Sequence, residues 1–282
     1  MIDETAAEIR GMQTHSSSVV AVKATRALEE LLDREYASIQ EFERDLEQNA
    51  GVLRRANTSH ASLYNALREV ERAVVGEATT VSEAKSLTAE AIDQVIEEIE
   101  RGKRKAAENA AALFEDGTTF LTHDYSTTVL TAVENAAVSG AELTAYVTEA
   151  RPRFIGRRTA RKCASIDGVE PHLIVDSAAG HYLTACDRVV VGMDCIVDDV
   201  LYNRVGTFPI AAAANELGVP VAVVGSGTKV ITEGFRFENE YRSASEVSLE
   251  PIEDVIIDNP AYDATPVDLI DQIVTDDGVE SR

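Results

Sequence analysis

Short β-branched runs alternate with helical segments through the second half of the chain, and this alternation restricts the fold more than any other feature of the sequence. Strands and helices that alternate in this way build a parallel sheet with helices on both faces. We therefore predict a Rossmann-like, doubly wound parallel sheet. Its strands are predicted at 118–122, 143–147, 172–175, 188–191 and 219–224, and its helices at 126–138, 156–165 and 207–217.

The first part of the chain has a different pattern. Glycine and proline are sparse there, and apolar residues recur at helical spacing, as Leu28 and Leu31 do. The stretch 81–112 is amphipathic over several turns and predicts one long helix. The predicted fold class is thus α/β, with a helical N-terminal domain at 1–116 and the Rossmann-like C-terminal domain at 117–282.

The chain is strongly acidic. Its 49 aspartates and glutamates outnumber 26 lysines and arginines, which gives a formal net charge of -23. This charge argues against a protein that binds nucleic acid directly through phosphate contacts, and equally against binding to an anionic membrane. The acids are spread along the chain, and 20 of the 26 basic residues are arginine. We interpret this composition as that of a halophilic protein in a high-salt cytoplasm.

The cysteines also bear on the compartment. Cys163, Cys186 and Cys195 are an odd number without metal-ligand spacing, and they favour a reducing environment. The N-terminus lacks the basic and apolar segments of a signal peptide, and no run has the length that a bilayer requires. The sequence predicts a cytoplasmic protein with no metal, no organic cofactor and no membrane partner.

Ligands of doubly wound sheets bind at the carboxyl ends of the strands, so the residues that follow the predicted strands are candidates for a site. Ser126 begins a helix, where it either caps the free amides or, with them, faces a phosphate. Asp194 ends the most hydrophobic strand, and it is either an acid–base residue or a carboxylate that caps a turn. The segment from Asn203 to Thr207 opens another helix with hydrogen-bond donors, which favours an anion.

Four arginines lie within 151–158, directly after the second predicted strand. The planar guanidinium group presents a fork of donors that matches phosphate oxygens. Arg151 and Arg153 are therefore candidate contacts for an anionic ligand. Arg157 and Arg158 are expected on a solvated helix face.

Several motifs occur in the order that they have in one protein family. They are LTHDYSTTVL at 121–130, EARPRFIG at 149–156, DSAAGHY at 176–182, VGMD at 191–194, NRVGT at 203–207 and NPAYDATP at 259–266. Together they resemble the alpha, beta and delta regulatory subunits of translation initiation factor 2B. The same motifs resemble the related ribose-1,5-bisphosphate and methylthioribose-1-phosphate isomerases. Similar segments at 9–15 and 62–67 extend the resemblance over nearly the whole chain.

The resemblance implies a pocket for a phosphorylated sugar or nucleotide and a homodimer through the C-terminal domain. It leaves open whether dimers assemble into a hexamer. The isomerases of the family use a cysteine and an aspartate to move a proton between the first two carbons of the sugar. Asp194 matches that aspartate, whereas Asp124 stands in the place of the cysteine. The ligand-binding positions that follow from the resemblance and from the strand ends are Arg10, Gly11, His123, Tyr125, Ser126, Arg151, Arg153, Asn203 and Arg204.

Other family positions differ too. Asn57-Thr58-Ser59 replaces Arg-Pro-Thr, Met12 and Gln13 follow Arg10-Gly11 in place of Ala-Gly, and Arg204 replaces a lysine. With the cysteine absent, these changes favour a non-catalytic regulatory protein that binds a sugar phosphate or nucleotide and contacts the translation factor 2 complex. The alternative is a phosphopentose isomerase that uses Asp124 and Asp194. A third hypothesis is a scaffold with a vestigial pocket.

Overall fold

The computed structural model describes residues 2–11, 16–231 and 234–282. Two compact units make up the chain. The helical unit comprises Met1–Arg101 with Phe235–Glu238, and the sheet unit comprises Gly102–Gly234 with Asn239–Arg282. Within the described residues, no helix combines the length and the apolar character that crossing a membrane requires.

Amphipathic helices build the helical unit around one apolar core. Phe42, Leu46 and Leu53 lie on one side of their helix and are fully buried in this core. The hydroxyl of Ser38 caps that helix by accepting a hydrogen bond from the amide of Glu41 at 3.3 Å. The helices are α1 (Ile2–Gly11), α2 (Ser17–Ala27), α3 (Ile39–Ala56), α4 (Ala61–Val74) and α5 (Val81–Ala111).

Helix α5 confirms the long helix predicted at 81–112. The two compact units divide at Arg101, inside this helix, whereas we predicted a domain boundary at 116. The physical reason is packing, because Ala107 and Ala110 on the last turns of α5 are buried in the core of the sheet unit. The change in sequence pattern marks the end of α5. The core in which the residues of α5 are buried changes earlier, within the helix.

The sheet unit alternates strands with helices. Its strands are β1 (Thr119–Thr122), β2 (Leu143–Thr148), β3 (Val169–Ile174), β4 (Arg188–Gly192), β5 (Cys195–Val197), β6 (Val200–Arg204), β7 (Val221–Val224), β8 (Val230–Ile231), β9 (Tyr262–Pro266), β10 (Gln272–Thr275) and β11 (Gly278–Ser281). Its helices are α6 (Thr127–Val138), α7 (Gly156–Cys163), α8 (Ala179–Leu183) and α9 (Thr207–Leu217).

The larger sheet confirms the predicted doubly wound α/β fold. Its strand order is β11-β10-β7-β4-β1-β2-β3, and the pairs are parallel except for β10 with β11. Successive side chains of β1 enter opposite cores, with Phe120 on one face and Leu121 on the other. The chain moves outward from β1 to β3, then returns to β4 and proceeds the other way. Ligands of such sheets bind at this switch point, beyond the carboxyl ends of β1 and β4.

A second, smaller sheet has the strand order β8-β5-β6-β9 and was not predicted from the sequence. Strands β5 and β6 form a tight hairpin whose turn residues, Asp198 and Asp199, both have a positive φ. Strand β6 also pairs with β9, and the register sets Arg204 opposite Tyr262. This pairing positions a cationic side chain next to the switch point.

Candidate active site

Two carboxylates lie at the switch point. Asp124 follows β1 and Asp194 follows β4, and both side chains are largely buried. The guanidinium Nε of Arg204 is 3.3 Å from Oδ2 of Asp124 and 3.8 Å from Oδ2 of Asp194. One cation therefore bridges acids that come from separate strands of the sheet.

The backbone around Asp124 is unusual. Its φ is 64°, in the left-handed region that aspartate and asparagine adopt more readily than most residues. The hydroxyl of Thr159, on α7, donates a hydrogen bond to the carbonyl oxygen of Asp124 at 2.5 Å. The turn after β1 is thus held in a conformation that directs the Asp124 carboxylate toward Arg204.

Arg204 also lies over an aromatic ring. Its guanidinium carbon is 4.7 Å from the ring centroid of Tyr262, its neighbour across β6 and β9. Burial opposes the charge of Arg204, but Tyr262 and the two carboxylates outweigh that effect and raise its pKa above the ordinary value. Burial raises the pKa of Tyr262 to about 12. Arg204 is thus charged and Tyr262 neutral at physiological pH.

A second basic side chain, Lys229, lies beside Asp194. Its Nζ donates a hydrogen bond to the carbonyl oxygen of Met193 at 2.7 Å and is buried. Burial lowers the pKa of Lys229 below its ordinary value, while the nearby Asp194 opposes this shift. Lys229 was not among the site residues predicted from the sequence. The signal was its position in the loop after β7, one of the strand ends where ligands of this fold bind.

Both ring nitrogens of His123 form hydrogen bonds with other residues of the protein. Its Nε2 is 2.8 Å from the carbonyl oxygen of Val205, so this nitrogen carries the proton and donates. Its Nδ1 then accepts from the hydroxyl of Thr148 at 2.6 Å. The ring also lies against Gly206, where a Cβ atom would come within 2.6 Å of it. His123 therefore joins β1, β2 and the turn before α9, and both ring nitrogens have protein partners.

The structure shows a helix cap at Ser126. Its hydroxyl accepts a hydrogen bond from the amide of Val129 at 3.3 Å, in the first turn of α6. The side chain also packs on Gly192, where an added Cβ would come within 2.6 Å of the Ser126 hydroxyl. The ring of Tyr125 lies 4.2 Å from the guanidinium carbon of Arg158.

The candidate anion contacts Arg151 and Arg153 have partners in the loop at 243–247. Arg153 donates from Nε and Nη2 to the two carboxylate oxygens of Glu246, at 2.9 and 2.6 Å. Arg151 donates from Nη2 to the carbonyl oxygen of Val247 at 3.2 Å. Hydrogen bonding to Arg153 lowers the pKa of Glu246. These arginines hold the loop at 243–247.

The start of α9 differs from its predicted role as a terminus that favours an external anion. The carboxylate of Asp263 accepts hydrogen bonds from the amides of Gly206 at 2.7 Å and Phe208 at 3.0 Å. The carboxylate of Asp263 thus occupies the place predicted for an external anion, because β9 passes beside the start of α9. The amide of Asn203 is buried and donates to the Thr207 hydroxyl at 3.0 Å.

Arg10 and Gly11 are the last residues of α1, in the helical unit, and both are exposed. Met12 and Gln13 lie outside the described residues. The predicted site residues that the structure brings together are thus Asp124, Asp194 and Arg204.

Comparisons with known proteins bear on this arrangement. A sequence profile of the initiation factor 2 subunit family matches residues 13–281. The chain belongs to this family. A family member from Haloferax volcanii, named ribose 1,5-bisphosphate isomerase, is 33% identical over 98% of this chain and 88% of its own. The protein of the same name from Archaeoglobus fulgidus is 34% identical, with the same coverage of both chains.

The family fold is shown by solved structures as well. The crystal structure of a Pyrococcus horikoshii protein described as translation initiation factor eIF-2B matches with a TM-score of 0.85. The match has 24% sequence identity and covers 99% of this chain and 96% of the other. At this identity the likeness supports the fold and does not distinguish functions within the family.

The relatives correct the expected function. We expected a non-catalytic regulatory protein of the initiation factor type, because the family cysteine is absent. Six relatives at 30–34% identity, each matched over 97–99% of this chain, are named ribose 1,5-bisphosphate isomerase. The absent cysteine alone was a poor guide, because Asp124 places an ionisable group at that position.

Proposed function

We propose that the protein is an aldose–ketose isomerase of a phosphorylated pentose, of the ribose 1,5-bisphosphate type. The observation that carries the proposal is the pair of carboxylates, Asp124 and Asp194, joined by Arg204 at the switch point of the sheet. The names of the full-length relatives support the substrate class. The proposed roles of the residues rest on the geometry of the sheet unit.

The reaction needs a base and an acid. Conversion of ribose 1,5-bisphosphate to the ketose bisphosphate breaks the bond between the first carbon and the ring oxygen, which takes up a proton and becomes a hydroxyl. A proton moves from the second carbon to the first, and the hydroxyl at the second carbon gives up its proton as the ketone forms, with no net change in composition. We assign Asp124 to removal of the proton, since it replaces the cysteine of related isomerases, and Asp194 to its return. Groups that hold and release a proton in this way accelerate such steps by about 10²–10⁴.

Two neighbouring carboxylates and a phosphorylated substrate repel each other, so the site needs positive charge. Arg204 supplies it from a fixed, buried position, and Lys229 adds a basic side chain beside Asp194. In a buried site such charges also stabilise the negative charge that develops on the sugar oxygens during proton transfer. The charge of Arg204 thus makes a two-carboxylate site compatible with an anionic substrate.

The test is turnover of ribose 1,5-bisphosphate in D2O, followed by NMR in concentrated potassium chloride. We expect signals of the ketose bisphosphate, with solvent deuterium at its first carbon. Asp124→Asn and Asp194→Asn should each lower kcat by at least about a hundredfold. Asp167→Asn, at an exposed aspartate of the same unit, is the matched control and should leave kcat unchanged.

Two results would contradict the proposal. The first is the absence of any ketose product from folded wild-type protein. The second is turnover that persists in both carboxylate variants, since the proton would then be carried by other groups.

A further inference from the structure

The sheet unit contains a buried arginine side chain, Arg242, in the segment that runs beside β9. This side chain is only 5% exposed. Glu240 forms an ion pair with it, with 3.6 Å between Nη2 of Arg242 and Oε2 of Glu240. Among the residues that the structure describes, none accepts a hydrogen bond from Nε or Nη2 of Arg242. Burying a guanidinium group with so few partners is costly, so its presence needs an explanation.

The backbone fixes Arg242 relative to Tyr262. The segment at 239–242 runs antiparallel to the residues that lead into β9, and the amide of Arg242 donates a hydrogen bond to the carbonyl oxygen of Asn259 at 2.8 Å. The side-chain nitrogen of Asn239 donates to the carbonyl oxygen of Tyr262 at 2.8 Å, and its side-chain oxygen accepts from the Tyr262 amide at 3.2 Å. The segment that carries Arg242 is therefore attached directly to the residue whose ring contacts Arg204.

Two guanidinium groups contact the ring of Tyr262. The guanidinium carbon of Arg242 is 5.9 Å from the ring centroid, and that of Arg204 is 4.7 Å from it. Cations at these distances are attracted to an aromatic ring, although they repel each other. Burial lowers the pKa of Arg242, and the positive charge of Arg204 lowers it further. Arg242 and Arg204 thus interact with each other and share one ring.

We propose that Arg242 is a positioning residue for the isomerase reaction, an inference that rests on the proposed function. Arg242 holds the ring of Tyr262, and the ring holds Arg204 with its Nε 3.3 Å from Asp124. Without Arg242, the ring loses one of its two cationic neighbours, and Arg204 loses a fixed surface to lie on. A displacement of about 1 Å near reacting groups can lower a rate by about a hundredfold.

The kinetic test is a double-mutant cycle on turnover of ribose 1,5-bisphosphate by the full-length protein in concentrated potassium chloride. Arg242→Gln should lower kcat by about tenfold or more and leave KM unchanged, because a positioning residue does not touch the substrate. In a Tyr262→Leu protein the same change should lower kcat by less than about twofold, because the ring through which Arg242 acts is already absent.

Two further variants serve as controls. Arg242→Lys keeps a cation beside the ring, so its kcat should lie between those of Arg242→Gln and wild type. Arg161→Gln removes an exposed arginine on α7 and should leave kcat unchanged. The melting temperature shows whether each variant is folded, and Arg242→Lys replaces Arg242→Gln in the cycle if the latter does not fold. The inference fails if the change at residue 242 lowers kcat by the same factor with and without the ring, or if it leaves kcat at the wild-type value.

Side-chain NMR tests the same contact without turnover. The Nε proton of Arg204 lies in a buried position beside Asp124, and its signal is identified by its loss in Arg204→Gln. Exchange of this proton with water should be at least about tenfold faster in Arg242→Gln and unchanged in Arg161→Gln. An unchanged exchange rate in Arg242→Gln would overturn the inference. Absence of turnover by the wild-type protein, with the exchange rates as expected, would contradict the proposed function and leave the positioning of Arg204 established.

Discussion

The Arg204 guanidinium lies between two buried carboxylates that would repel one another without it. Its position is fixed from two directions, by the register of β6 with β9 and by the ring of Tyr262. Removal of one member of a buried charge group costs more than the attraction itself, because the remaining charges stay away from water without a partner. At this scale the stability of the protein and its proposed chemistry depend on the same side chain.

Arg204→Gln should therefore lower the free energy of unfolding by about 3–5 kcal/mol, measured by urea denaturation at pH 7. Adding Asp124→Asn to this variant should restore part of the loss, because one uncompensated carboxylate is removed with it. Additive effects of the two changes would contradict a direct interaction. Arg204→Lys keeps the charge but not the planar fork, and we expect an intermediate loss.

At the scale of elements, the loop at 243–247 is held to the end of β2 by arginines of the turn after that strand. Arg153 pairs with Glu246, and Arg151 binds the carbonyl oxygen of Val247. The carboxylate of Glu246 also lies 3.4 Å from the amide nitrogen of Asn259. One glutamate thus connects the turn after β2, the loop and the segment that leads to β9.

The Glu246 pair predicts a pH dependence of stability. Because Arg153 lowers the pKa of Glu246 in the folded protein, the ionised form stabilises the fold above the unfolded-state pKa of about 4.3. This contribution is lost as the pH falls through the lower, folded-state value. The melting temperature of Glu246→Gln should be below that of wild type at pH 7. The difference between the two melting temperatures should disappear as the pH falls through the folded-state pKa of Glu246. A constant difference across this range would contradict the prediction.

Elements that are regular over several residues could be predicted from sequence, whereas those that depend on distant partners could not. Strands β1, β2, β3, β4 and β7 of the larger sheet and the long helix α5 show clear local patterns, whereas β10 and β11 of that sheet were not predicted. Strands β5 and β8 are too short to do so, and they form because β6 and β5 offer edges to pair with. The fold class was predictable because its signal repeats along the chain.

The residues of the candidate site also differ in whether they have a local sequence signal or depend on distant partners. Asp124 and Asp194 each follow a strand at the carboxyl edge of the sheet, and their pairing as proton-carrying groups was what the family resemblance implied. The partners of Arg151 and Arg153 could not, since Glu246 and Val247 are distant in sequence and no periodicity indicates such a pairing. Lys229 was missed because its burial beside Asp194 is visible only in the structure.

At the scale of the whole molecule, the net charge of -23 acts on every part of the fold. Self-repulsion of this size destabilises a compact chain when the ions of the solution are dilute. At 1 M salt the screening length falls to about 3 Å, and most of the long-range repulsion disappears.

The melting temperature should therefore rise steeply between 0.1 and 1 M potassium chloride, and less steeply above that. The same measurement in sucrose separates charge screening from the general exclusion of solutes from the protein surface. Sucrose favours compact states without screening charge. Equal stabilisation by both solutes, or a melting temperature that does not respond to chloride, would contradict the electrostatic explanation.

The left-handed backbone at Asp124 bears on any attempt to engineer a thiol into this protein. A cysteine held in that backbone conformation destabilises the fold by about 1–2 kcal/mol, a cost that asparagine largely avoids. An Asp124→Cys protein that fails to turn over would be ambiguous, because relaxation of the turn would displace the thiol from the position of the base. Asparagine keeps the shape of the turn while it removes the acid, so a comparison of the two replacements separates the chemistry of the residue from the geometry that presents it.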